Sequence, residues 1–131
     1  MIEHYRSARY QDGGRGERVG GVRLFDCYGL VRAVRAEQYG LPLMPELADV
    51  QPRDSRQVHR SSSAAVHGLA RCEPQPGAMA LCWQGSLARH CGVVVPVNDR
   101  LGVLECERGI NVRWQPLRAF CRDYSTVEFY T

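Results

Sequence analysis

The apolar positions of this chain change period near its middle. In the first half Leu30, Val31, Val34 and then Gln38 or Tyr39 recur at the spacing of one helix face, which predicts an amphipathic helix over about 27–39. Asp26 is a good N-cap for it, and Gly40 followed by Leu41-Pro42 stops it. Residues 2–10 predict a short helix with Ile2 and Tyr5 on one side. The glycine-dense stretch 13–21 predicts a loop. Residues 45–50 predict one turn, and Asp54 caps a second helix over about 55–70 carrying Val58, Ala65, Val66 and Leu69. Beyond Pro74-Gln75-Pro76-Gly77 the apolar runs become short and are bounded by turn residues, so 78–83 and 91–95 predict strands joined through 84–89. Residues 103–106 and 110–113 predict another hairpin turning at Arg108-Gly109. Pro116 opens a helical turn reaching Cys121, and 126–130 predict a closing strand. Helices first and an antiparallel sheet afterwards define the α+β class. The chain is read as one domain over residues 1–131, without linker or repeat.

Composition narrows the chemistry. No window approaches the roughly 20 apolar residues of a membrane helix, so no membrane span is expected. The start, Met1-Ile2-Glu3-His4-Tyr5-Arg6, lacks the apolar core of a secretory signal, which predicts synthesis in a cytoplasm. All 17 basic residues are arginine, which excludes a phosphate-loop lysine, a Schiff-base lysine and a lysine general base. The net charge of +3 is mild and the arginines are scattered, so no nucleic-acid partner is expected. The glycine-rich stretch fails the G-x-G-x-x-G spacing, and no cofactor is expected. Six cysteines occur without a C-x-x-C pair, so no metal site is expected, and without an export signal no disulfide framework is expected either. Cys72, Cys82, Cys91, Cys106 and Cys121 read as small buried hydrophobes.

Cys27 is different. It stands at the predicted start of the first long helix, where the helix dipole and unpaired backbone N–H groups favour thiolate, the nucleophilic form. A cysteine nucleophile needs a base and a group that orients the base. Of the four histidines, His4 lies near the chain start, while His59 and His67 belong to the second predicted helix, two turns apart and too far apart for one metal. His90 opens an apolar strand and is the base a helix-borne thiol would meet.

The segment Phe25-Asp26-Cys27-Tyr28-Gly29-Leu30-Val31 resembles the nucleophile motif of the NlpC-type cysteine peptidases, papain-like enzymes that cut peptidoglycan stem peptides. Tyr10-Gln11-Asp12-Gly13-Gly14 resembles their upstream Y-x-x-G-G, Gln75-Pro76-Gly77 their P-G-D turn, and His90-Cys91-Gly92-Val93-Val94 their base-bearing H-V-G-I-Y. The match runs from about Tyr10 to Tyr130. An aromatic after the cysteine, then Gly-Leu-Val-Arg, Tyr39-Gly40-Leu41-Pro42 and the ending Val127-Glu128-Phe129-Tyr130, is similar to the branch found in bacteriophage tail tips.

The resemblance implies a papain-like fold with N-terminal helices on a C-terminal antiparallel sheet, Cys27 as nucleophile and His90 as base. It also implies Tyr10 as an oxyanion or substrate contact and a stem peptide as substrate. Other tail-tip or hub proteins would be partners, and a virion would deliver the protein to the periplasm. Three departures accompany it. Ala78 replaces the aspartate of P-G-D, and the stretch between Tyr10 and Cys27 is longer than usual. At the third catalytic place the tail branch reads L-H-A, whereas this chain has Leu104-Glu105-Cys106. Glu105 either orients the imidazole or is a solvated strand residue. The alternative is a structural tail-tip protein that keeps the peptidase fold with weak or no activity, supported by the Glu105 replacement.

Overall fold

The computed structural model describes residues 1–46 and 66–131. Its architecture is α+β, built from a small three-stranded sheet, a six-stranded sheet and few helices. The chain opens with α1 (Glu3–Arg6), β1 (Arg9–Tyr10), β2 (Arg15–Val19), β3 (Val22–Phe25) and α2 (Cys27–Tyr39). A 3-10 turn at Val66–Gly68 follows, then β4 (Arg71–Cys72), β5 (Met79–Gln84), β6 (Leu87–Val97), β7 (Arg100–Glu107), β8 (Asn111–Pro116), α3 (Leu117–Cys121) and β9 (Thr126–Tyr130).

Helix α2 forms where its apolar stripe predicts. Asp26 caps its start, and Gly40 ends it at φ 60°, with Gly40 N–H bonded to Ala36 O and Leu41 N–H to Arg35 O. The large sheet has the order β4-β9-β5-β6-β7-β8, antiparallel throughout. Its period-two alternation divides the core. Met79, Leu81, Cys91, Val93, Val95, Leu104 and Cys106 join Leu30, Val31 and Val34 of α2 in one cluster. Ala78, Ala80, Cys82, Val94 and Val103 join Phe120 of α3 and Phe129 in another. The turn between β6 and β7 uses Asn98 and Asp99, both at positive φ (51° and 62°), as a two-residue hairpin turn requires.

The structure departs from the sequence expectations in three places. Residues 13–21 are not a loop: β2 lies within them and pairs with β3. Gly20 (φ 58°) and Gly21 (φ 82°) supply the left-handed turn that lets the flanking residues extend. The helix expected over 2–10 keeps only Glu3–Arg6, because Arg9 and Tyr10 are drawn into parallel pairing with Leu24 and Phe25. Of the second helix, residues 55–65 with His59 lie outside the described residues, as do 47–50 of the turn expected at 45–50. Residues 66–70 make only the 3-10 turn, since Ala70 exchanges backbone hydrogen bonds with Thr131 at 2.8 and 2.9 Å. Helices therefore do not simply precede the sheet. Three strands come before α2, and α3 lies between β8 and β9.

Candidate active site

Cys27 is the first residue of α2, and its position is fixed by the segment before it. The Asp26 carboxylate accepts the Gly29 N–H at 2.7 Å and the Arg15 guanidinium at 2.7 Å. Both side chains of that ion pair are buried. Gly14 O accepts the Asp26 N–H at 3.1 Å and Arg15 Nη1 at 3.0 Å. A Cβ on Gly29 would lie 2.0 Å from Gly14 O, and one on Gly14 would lie 2.7 Å from Phe25 Cα. The two glycines thus let the β1–β2 connection lie directly against the helix start. The Arg15 guanidinium also covers the Tyr28 ring at 5.2 Å from its centroid.

The large sheet supplies the partner. At the β5–β6 bulge the register steps from Cys82↔His90 to Trp83↔Ala88, and Arg89 is the extra residue beside His90. Pairing between β6 and β7 runs from the turn to Val93↔Leu104, and His90 and Glu105 lie just beyond it. His90 Nε2 is 2.9 Å from Glu105 Oε1. Glu105 Oε2 accepts Gln115 Nε2 at 2.7 Å and Arg113 Nε at 3.2 Å, both from β8, where Arg113 is the direct register partner of Glu105. Glu105 is fully buried, so it is not a solvated strand residue. Tyr124 stacks on the imidazole at 6.1 Å and Phe120 lies at 6.3 Å, shielding the ring from water.

With Nε2 engaged by Glu105, Nδ1 is the ring nitrogen left for Cys27, which lies close enough to His90 for the two groups to interact. The thiol of Cys27 is held well below its ordinary range. A hydrogen bond from the Cys91 thiol is the largest cause. His90, by hydrogen bond and charge, and the Cys91 backbone N–H add to it and together outweigh burial. Burial opposes the His90 imidazolium, but hydrogen bonds and charge from Cys27 and Glu105 raise it to about 10. Both shifts act toward a thiolate–imidazolium pair. Burial also pushes Glu105 upward, yet His90, Gln115 and Arg113 bring its carboxyl below the usual range.

Tyr10 lies on β1 close enough to Cys27 for the two charges to interact. Burial, a hydrogen bond to Asp12 and neighbouring negative charge all hold its hydroxyl protonated. Asp12 is in turn gripped by Arg108 Nη2 at 2.5 and 2.7 Å, and the Arg108 guanidinium lies over the Tyr10 ring. The structure thus brings Cys27, His90 and Glu105 together, with His90 hydrogen-bonded to Glu105, Tyr10 at the flank and its hydroxyl directed to Asp12.

Arg15, Cys91, Arg113, Gln115 and Tyr124 were missed by sequence reasoning. Alternation along the β7–β8 hairpin carries the signal for Arg113 and Gln115, which share a face with Glu105 once the Arg108-Gly109 turn is placed. Cys91 has no comparable signal. Of the cysteines read as buried hydrophobes, Cys82, Cys91 and Cys106 are buried, whereas Cys72 and Cys121 are half-exposed; all six are free thiols. Among the described residues, His90, Glu105 and Glu107 bring ligand-type atoms within 4.8 Å of one another. Both oxygens of Glu105 are already occupied by donors, an arrangement suited to orienting an imidazole rather than caging a cation. No helix among the described residues is long and apolar enough to cross a membrane. No known family model matches the chain, and no curated protein matches it.

Proposed function

We propose that this chain is a papain-like cysteine peptidase or amidase of the NlpC type that hydrolyses peptidoglycan stem peptides. In this reading it is a component of a bacteriophage tail tip, made in the bacterial cytoplasm and carried to the periplasm to aid wall penetration. The observation that carries the catalytic part is the bond of His90 to a buried Glu105 carboxylate held by two further donors, with Cys27 at a helix N-terminus close enough to interact with the imidazole. Substrate and vehicle rest on the resemblance of Phe25-Asp26-Cys27-Tyr28-Gly29-Leu30-Val31 and His90-Cys91-Gly92-Val93-Val94 to that family.

The Cys27 thiolate attacks the scissile carbonyl carbon. The Cys27 backbone N–H, orphaned at the helix start, donates to the developing oxyanion, with the Tyr10 hydroxyl as a further donor if it turns from Asp12. The His90 imidazolium gives its proton to the leaving amine, and a thioester remains on Cys27. Neutral His90 then takes a proton from water, whose attack releases the acid and restores the ion pair. Glu105 holds the ring with Nδ1 toward the sulfur and stabilises its positive charge. Cys27→Ala should reduce digestion of purified sacculi by at least about 10⁴-fold. A variant as fast as the parent overturns the assignment.

The alternative, a structural tail-tip protein with weak or no activity, drew its support from Glu105 in place of histidine. The bond from that carboxylate to His90 favours the enzyme. Iodoacetamide separates the two readings. Rapid stoichiometric labelling of Cys27 at neutral pH fits the ion pair, while labelling no faster than an ordinary exposed thiol fits the scaffold.

A further inference from the structure

Asn111, Arg113 and Gln115 are alternate residues of β8 and so share one face of the strand. Arg113 and Gln115 hold the Glu105 carboxylate and, through it, the imidazole. Asn111 serves the other half of the site, because its Oδ1 accepts the Tyr10 N–H at 2.9 Å. Tyr10 is the register partner of Phe25 in β3, and Gln11 N–H bonds Phe25 O at 2.9 Å. Phe25 stands two residues before the nucleophile. One strand therefore holds both the carboxylate behind the base and the strand that leads to the thiol.

The backbone at position 111 sharpens the point. Asn111 stands at φ 68°, in the left-handed region that glycine takes most readily and that Gly109 takes at φ 81°. The side chain, rather than the turn, accounts for an asparagine there. Two other ties between the β7–β8 hairpin and the small sheet are weaker. Arg108 grips Asp12 in an exposed ion pair, and the Cys106 thiol, a poor donor, lies 3.4 Å from Phe25 O. The Asn111 bond is partly buried and made to a backbone N–H, so it fixes the strand itself.

We propose that Asn111 is a positioning residue of the catalytic pair, setting through β1 how far the Cys27-bearing segment stands from the imidazole that Glu105 holds. It acts through the Tyr10 N–H and Phe25. The proposal rests on Cys27 and His90 working as a pair, and not on what they cleave. A misplacement of about 1 Å at reacting groups costs on the order of 100-fold in rate, so one bond at this seat matters to the chemistry.

The test reads the thiol directly. Full-length protein is alkylated with iodoacetamide from acid to alkaline pH, and the Cys27 peptide is followed by mass spectrometry. Mapping separates it from the half-exposed Cys72 and Cys121. In Asn111→Gly the backbone keeps its left-handed place and the acceptor is lost. The alkylation midpoint of Cys27 should rise by about one unit, a roughly tenfold loss of rate on the acid side, while the urea midpoint stays close to wild type. Asn111→Asp keeps an acceptor oxygen and tolerates the same φ, so its rates should lie within about threefold of wild type. On a stem peptide the glycine variant should lose about tenfold or more in kcat with KM little changed.

The proposal is overturned if the glycine profile superimposes on that of wild type, or if the aspartate variant is displaced as far as the glycine variant. It is equally overturned if the glycine variant fails to fold, which would make the residue structural. A wild-type midpoint already at the ordinary thiol value of about 8.5 would sink the Cys27–His90 pair itself, and the proposal with it. Alkylation needs no substrate, so it decides the matter even if the stem-peptide reading fails.

Discussion

Asp26 and Glu105 are both almost wholly buried and each is bonded to an arginine. Asp26 also takes the Gly29 N–H, Glu105 also takes Gln115 and His90, and they lie on the Cys27 and His90 sides of the pair. Their protons are nevertheless held in opposite ways. Burial and then the neighbouring Cys27 thiolate raise the Asp26 carboxyl above its usual value against the pull of Arg15. Burial also raises Glu105, but the His90 imidazolium with Gln115 and Arg113 brings it below its usual value. Similar partners give opposite results because the ion pair has a direction. Asp26 faces its negative end and Glu105 its positive end. One carboxylate serves the helix cap, and the other holds the imidazole.

Glu105→Gln is the sharpest way to break this contrast. The amide keeps a hydrogen bond to the ring and removes the charge, and kcat/KM should drop by about 10³–10⁴-fold. The raised His90 value of about 10 should fall, and the alkaline limb of the pH–rate profile should move to lower pH with it. The sign for stability follows from the same shift. His90 is raised from 6.5, so its contribution is whole below pH 6.5 and is lost as pH climbs through about 10. In Glu105→Gln that alkaline loss should begin earlier, as urea titrations at several pH values would record.

Asp26→Asn should do the reverse. It leaves Arg15 buried without its counter-charge and should cost about 3–5 kcal/mol in urea unfolding. The alkaline limb should stay in place. An Asp26→Asn protein whose limb shifted as far as that of Glu105→Gln would dissolve the distinction.

A smaller effect is expected at Gly92. A Cβ there would sit 2.4 Å from Val103 Cγ1 and 3.6 Å from Glu105 Cβ. Gly92→Ala should therefore force β7 away from β6, cost about 1–3 kcal/mol and loosen the grip of Glu105 on the ring. The measurement is kcat on a stem peptide alongside the urea midpoint. Tyr10→Phe should have the least consequence. Its hydroxyl is bonded to Asp12, so one ordinary hydrogen bond is at stake and kcat/KM should fall about tenfold or less. A loss near a thousandfold would instead assign the hydroxyl to the oxyanion.

How much of this was legible in the sequence depended on whether the signal was local. Helix α2 carries its own cap, apolar stripe and stop, so its bounds and the place of Cys27 could be read directly. The turn at Arg108-Gly109 was equally local, and with it the alternation that sets Glu105 opposite Arg113. Whether Glu105 faced water or His90 was not local, because it depends on how β6 and β7 diverge beyond Val93↔Leu104. The Asp26–Arg15 pair and the Cys91 contact with Cys27 depend likewise on chain segments meeting in space. Glycine density suggested disorder of pattern at 13–21, whereas two of those glycines serve as the turn of a hairpin and Gly14 allows a close contact with the helix start.

That contact has a consequence for how such a domain can vary. Gln11 N–H bonds Phe25 O at 2.9 Å, Gly14 N–H bonds Gln11 O at 2.8 Å, and Asp26 N–H returns to Gly14 O. The chain is thus cinched where it leaves for the β2–β3 hairpin and again where it comes back. The excursion beyond the cinch is the β2–β3 hairpin, whose tip carries Val19 and Val22 in the open. Length added or removed at that tip in register should leave the nucleophile where it is. The base of the hairpin belongs to the site through Arg15 and Arg23, and only its tip stands clear of the helix that carries the thiol.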